Sequence, residues 1–135
     1  MTLALATGAV AAVTGCSPLD ALVWGPDGAR VIATTQQLID DLADDGRSAL
    51  LCADADVQLG EPRDWAGRTA GEPERFTGGF WTEQVALDPQ WNINVEGLPD
   101  GAVPGDRFPG DVFYRESEEG LCVIDVVWST LDYVG

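Results

Sequence analysis

The stretch DVFYRESEEGLCVIDVVWST, residues 111–130, decides the fold. Within Asp111 to Glu116 and Leu121 to Thr130, the residues Val112, Tyr114, Cys122, Ile124, Val126 and Trp128 recur at a spacing of two. That is the period at which a pleated strand sends successive side chains to opposite faces. Ser117-Glu118-Glu119-Gly120 between them supplies the residues of a tight turn. The pattern predicts a hairpin of two long antiparallel strands. Working backwards, Trp91 to Glu96 and Phe80 to Leu87 read as two further strands, parted by Asp88-Pro89 and followed by a turn-rich connection from Gly97 to Gly110. Gln58 to Gly79 is dense in Gly, Pro and charge, and reads as irregular structure with a helical turn near Glu72 to Phe76.

From Asp27 to Asp45 the period changes. Ile32, Leu38, Ile39 and Leu42 fall on one face of a helix, with Asp40, Asp41, Asp44 and Asp45 on the other. Two starts compete. A long helix would begin near Pro26; alternatively Thr34-x-x-Gln37 is a capping box, and Leu22 to Ile32 is a hairpin turning at Pro26-Asp27-Gly28. The longer helix is the preferred reading, with Gly46 at its C′ position. Asp44 and Asp45 oppose the helix dipole at that end. Ser48 to Ala53 is a short apolar run that carries Cys52 inwards. One N-terminal helix, or two, packed on a curved four-stranded antiparallel sheet makes an α+β domain.

Charge and composition exclude several functions. The 135 residues carry 23 acids and 7 bases, a net charge of −16, and every base is Arg. Such a chain repels phosphate backbones and anionic lipids, so no nucleic-acid partner is expected. There is no His, which removes His-based triads, dyads, zinc sites and haem ligation. Three scattered cysteines cannot supply a Cys-only structural zinc set. No cofactor and no metal are expected.

Leu3 to Val13 is an uncharged run too short to span a bilayer, which needs about 20 apolar residues, and it has the length of a signal-peptide h-region. Val13-Thr14-Gly15-Cys16 follows at once. An aliphatic residue, two small residues and a Cys resemble the lipobox of bacterial lipoprotein precursors. The resemblance implies cleavage before Cys16, lipidation of its thiol and attachment to the extracytoplasmic face of the cell membrane. Residues 1–15 carry no Lys or Arg, where an n-region is basic, so the start of translation is expected upstream of Met1. The competing reading is a buried N-terminal helix with a free Cys16. The expected organisation is a signal peptide (1–15), a membrane-proximal tether (16–26) and one globular domain (27–135).

With Cys16 given to lipid, Cys52 and Cys122 remain as an even pair in an exported domain, for which a disulfide is the default. The alternative is two separate buried thiols acting as small hydrophobes. The order helix, acidic turn and short apolar segment over Ala33 to Leu51, then paired strands ending at Trp128, is similar to small lipoproteins of the NTF2-like (cystatin-like) superfamily. In these a bent sheet wraps one helix into a cone, and the resemblance implies a pocket at the open end without naming a ligand.

Other candidate sites are weak. Asp54-x-Asp56 has the opening of a calcium loop, but Leu59 and Trp65 stand where Gly and an acid belong. Asp40, Asp41, Asp44 and Asp45 read as a solvated face or a surface for a basic partner. Trp24, Trp65, Trp81, Trp91 and Trp128 read mainly as core, with Trp65 and Trp91 the expected exceptions because they adjoin turns. The acids offer no carboxylate pair chosen by spacing. The expected function is therefore a lipid-anchored, non-catalytic envelope protein acting through protein contacts. The alternative is a small-molecule binder using an NTF2-like pocket.

Overall fold

A computed structural model describes residues 18–132. Val13 to Cys16, and with them the cleavage and lipidation site, lie outside the described residues. Helix α1 (Pro18–Asp45) is followed by strands β1 (Thr69–Arg75), β2 (Trp91–Glu96), β3 (Arg107–Ser117) and β4 (Gly120–Thr130), with 3-10 turns at Pro62–Asp64 and Thr82–Leu87. The strands form one antiparallel sheet in the order β1-β2-β3-β4. The α+β architecture of an N-terminal helix on a four-stranded antiparallel sheet is thus as the sequence predicts.

Helix α1 is two arms joined at Gly25, whose φ of 76° and ψ of 168° are not helical. Pro26 follows; it cannot donate a main-chain hydrogen bond, it pushes its predecessor out of the α region, and it suits the first turn of a new arm. Pro26 to Thr35 is helix, which removes the hairpin alternative. Of the expected tether, the described part from Pro18 onwards is helical. At the other end Gly46 takes φ 77° and its N–H donates to Leu42 O at 3.0 Å, the αL cap expected of it.

The second arm buries Ala29, Val31, Thr35, Leu38, Ile39 and Leu42. Against them the sheet presents Trp91, Ile93, Val95, Val112, Tyr114, Val123 and Val126, and Trp65 fills the remaining space with no exposed surface. One polar link crosses this interior. Thr35 Oγ1 gives its single proton to Val31 O (2.7 Å), so the Tyr114 hydroxyl donates in their 2.8 Å bond. Burial pushes the Tyr114 phenol well above its ordinary range.

One predicted strand and one stretch predicted irregular are overturned. Phe80 to Leu87 is no strand but the 3-10 segment Thr82–Leu87, closed by Asp88 in the left-handed region at φ 55°. Its apolar residues do not share one face: Trp81 and Leu87 pack inwards while Phe80 and Val85 are exposed. The fourth strand is instead Thr69–Arg75, inside the stretch read as irregular and across the expected helical turn at Glu72 to Phe76. Pro73 is tolerated there because β1 is an edge strand. Strand β3 also begins earlier than expected, at Arg107.

The hairpin itself holds, with Ser117 paired to Gly120 across its turn. Its period of two does not hold throughout. Phe113 pairs with Asp125 and Tyr114 with Val123, leaving Ile124 extra. This bulge turns the strand, so that Cys122 and Ile124 pack under the sheet while Val126 and Trp128 pack on the helix side. The outer edge of β4 is closed by Leu51, which bridges Val123 in parallel. Cys52 N donates to Val123 O at 2.9 Å, and the Cys52–Cys122 disulfide locks the same edge.

Candidate functional site

Directly opposed residues of an antiparallel sheet share a face, which places the polar side chains away from α1. Phe113 belongs to the lower cluster with Cys52 and Ile124, and Val127 packs against it. Asn92 lies opposite Phe113 and Glu74 opposite Asn92; Asn94 and Val127 flank Asp111 in the next row. Glu74, Asn92, Asn94 and Asp111 therefore form a polar floor on the lower face. The 3-10 segment supplies a wall beside it. Trp81 meets Phe113 edge-on with ring centroids 4.9 Å apart, and Phe80 meets Trp81 at the same distance.

Two adjoining clefts share Phe80 and Trp81. One of about 300 Å³ is lined by Glu74, Thr77, Phe80 and Trp81. The other, about 250 Å³, adds Thr82, Glu83, Gln84 and Val127. Phe80 is 78% exposed and Val85 53%. Most floor groups are held: Asn92 Nδ2 donates to Glu74 Oε1 at 3.2 Å, Asn94 Oδ1 accepts Glu72 N at 2.8 Å, and Gln84 Nε2 donates to Asp125 Oδ2 at 3.2 Å. The Asp111 carboxylate makes no hydrogen bond or ion pair among the described residues. Its burial, with Glu74's charge adding to it, raises the carboxyl to about 6.

No arginine lines either cleft. Arg75 instead lies 4.2 Å from the centroid of Trp91 and 3.5 Å from Asp27, and Arg115 pairs with Asp54 at 3.2 Å while donating to Leu87 O. The charged residues that line the clefts, Glu74 and Glu83, are both acidic. Among the described residues, no group of three or more Cys, Asp or Glu is placed to hold a metal ion.

Asp111 carries a stability cost, and its sign is testable. Folded, the carboxyl keeps its proton to about pH 6; unfolded, it releases it near 3.8. The folded chain therefore binds more protons over that window, and stability falls as pH rises through it. Asp111→Asn is expected to stabilise the protein at pH 7 by about 1 kcal/mol, after discounting for partial exposure, and to give no gain at pH 4. Urea unfolding at the two pH values checks it; a loss of stability at pH 7 would contradict it.

The residues singled out from the sequence fare unequally. Cys52 and Cys122 are brought together as a disulfide. Asp54 is held by Arg115, which draws its carboxyl below the usual range. The helical acids make local contacts: Asp41 accepts from Gln37 and Ser48 at 2.8 Å each, Asp40 from Gln36 at 3.4 Å, and Asp45 is 3.7 Å from Arg47. The tryptophans are mainly core, as expected, but the exceptions are reversed. Trp65 and Trp91 are 0% and 6% exposed, whereas Trp24 is 39% exposed. Lying beside a turn did not keep them out, because each turn carries its indole under α1 or the sheet. A third cleft, of about 340 Å³, has Arg63, Asp100 and Arg107 in its lining, with Asp64 and Asp106. The last two close local turns by accepting Glu61 N and Val103 N.

Sequence reasoning missed Glu74, Asn92, Asn94 and Asp111. Only the alternation in Trp91 to Glu96, with Asn92 and Asn94 between apolar residues, carried a signal for them. A scan of family models and searches of curated proteins and of solved structures return no match to this chain.

Proposed function

We propose that this chain is a small exported envelope protein, anchored through lipid on Cys16 and acting without catalysis, through protein contacts on the face opposite α1. The observation that carries this reading is where the free space lies. Between helix and sheet, Val31, Leu38, Leu42, Trp65, Ile93, Val112 and Tyr114 are all without exposed surface. An NTF2-like small-molecule pocket would need that space. The exposed aromatic and acidic surface lies instead on the outer face, where a macromolecule can reach it.

Three features support the location. The Cys52–Cys122 disulfide suits an oxidising compartment outside the cytoplasm. No helix among the described residues is long and apolar enough to cross a membrane, so attachment on this reading rests on lipid. Leu19, Leu22 and Val23, which follow Cys16 closely, are 68%, 81% and 62% exposed, apolar where the reading puts the bilayer surface.

Mass analysis of protein extracted from native membranes tests the anchor. The expected species starts at Cys16 and carries a diacylglycerol, and Cys16→Ser should move the chain to the soluble fraction. A membrane species that retains residues 1–15 with an unmodified Cys16 would overturn the anchor.

A further inference from the structure

The outer face has the exposed ring of Phe80 beside the half-buried Trp81, two adjoining clefts and carboxylates without a counter-charge. Phe80 and Trp81 wall both clefts; Glu74 and Glu83 line one each. Asp111 lies beside the cleft residue Val127, its direct partner across β3 and β4. Three arginines are already taken by carboxylates: Arg30 reaches Glu116 at 3.0 Å, Arg75 reaches Asp27, and Arg115, on this same face beyond Phe113, reaches Asp54. No arginine lines either cleft. Two donors of this face are committed, Asn92 Nδ2 to Glu74 and Gln84 Nε2 to Asp125. The charge left without a counter-ion at the clefts is negative, and it is bordered by apolar surface.

We propose that this face docks a partner-protein segment carrying a Lys or Arg flanked by apolar side chains, the cation seated on Asp111 and Glu74 and its neighbours on Phe80, Trp81 and Val85. The proposal rests on the protein-contact reading and names the partner's chemistry. A cation between Asp111 and Glu74 removes their mutual repulsion and makes charge-assisted bonds, the stronger class of hydrogen bond. The exposed Phe80 ring adds apolar burial and a π-face for the cation. The face thus has the hydrophobic centre and polar rim typical of protein interfaces. Asp111, unpaired at a cost to stability, is the group such a partner would complete.

The test uses the full chain, labelled with 15N, and two capped peptides, Leu-Lys-Leu-Arg-Leu and Leu-Gln-Leu-Gln-Leu. The basic peptide is expected to shift the Trp81 indole and Gln84 amide signals and to bind about tenfold tighter than the neutral one, a single charge-assisted contact's worth. A Glu74→Gln, Asp111→Asn double variant, with an otherwise unchanged spectrum, should erase that preference. Equal binding of the two peptides, an undiminished preference in the double variant, or shifts centred on Asp40 to Asp45 would each overturn the proposal. So would a neutral oligosaccharide, maltohexaose, shifting Trp81 and Gln84 while the basic peptide does not. The two levels fail separately. If an envelope partner still crosslinks to Val85 in the double variant as strongly as in wild type, the basic partner is overturned and protein contact stands. If no partner crosslinks to wild type at all, the contact reading falls with it.

Discussion

Replacing Cys52 and Cys122 together by Ser is expected to lower the unfolding free energy by about 4 kcal/mol. The bridge joins residues 70 apart in sequence, so cutting it returns a long loop's worth of conformational freedom to the unfolded chain. The folded contacts at the site are otherwise self-sufficient. Leu50, Leu51 and Cys52 already hydrogen-bond or bridge to Val123, and Ser fills the place of each half-cystine. The double variant should therefore fold to the same sheet, with a melting temperature lower by about 15 °C for a domain of this size. Denaturant unfolding with and without reductant checks it. Wild type under reducing conditions should match the variant, and a loss below about 1 kcal/mol would show that the unfolded chain is already constrained there.

Trp65→Ala is expected to cost as much, about 4 kcal/mol. The indole is fully buried among residues of α1 and the sheet, and its Nε1 donates to Leu59 O at 2.7 Å. Truncation leaves a large cavity and a carbonyl without its donor. Trp65→Phe should recover most of the packing but not the hydrogen bond, costing about 1–2 kcal/mol. Thermal unfolding of both variants separates the two contributions. Equal losses from Ala and Phe would place the whole effect in the hydrogen bond.

Trp65 also shows what the sequence could and could not disclose. Its position beside Pro62, Gly60 and Gly67 marks a turn correctly, but the side chain's destination depends on how that turn meets α1. Burial of this kind is tertiary and leaves no local period. Arg68 is a second case. It is 2% exposed and its guanidinium donates to the carbonyls of Asp64, Val95 and Pro109 at 2.9, 3.2 and 2.8 Å. Burial lowers its pKa, and nothing in the surrounding sequence distinguishes it from the surface arginines.

The elements that were legible have strong local codes. The hairpin over 111–130 shows through its alternation and its turn, and the second arm of α1 through its apolar stripe between Pro26 and Gly46. Strand β1 was hidden because Gly71 and Pro73 interrupt its sequence; pairing with β2 overrides that weak propensity. The bulge at Ile124 was hidden by an unbroken alternation that continues through it. The candidate face inherits both omissions. Glu74 comes from the strand read as irregular, and Phe80 and Trp81 from the segment read as strand. Asp111 stood at the start of the clearest hairpin, but its neighbours across the sheet are set by register alone.

Photo-crosslinking from Val85 in living cells tests the central claim most directly, with Leu98 and Val103, equally exposed at 48% and 55%, as controls. A photoreactive residue at Val85 is expected to yield one discrete adduct with an envelope protein, absent from both control positions. No adduct at Val85, or the same adducts from all three positions, would contradict a protein that works by contact through the face opposite its helix.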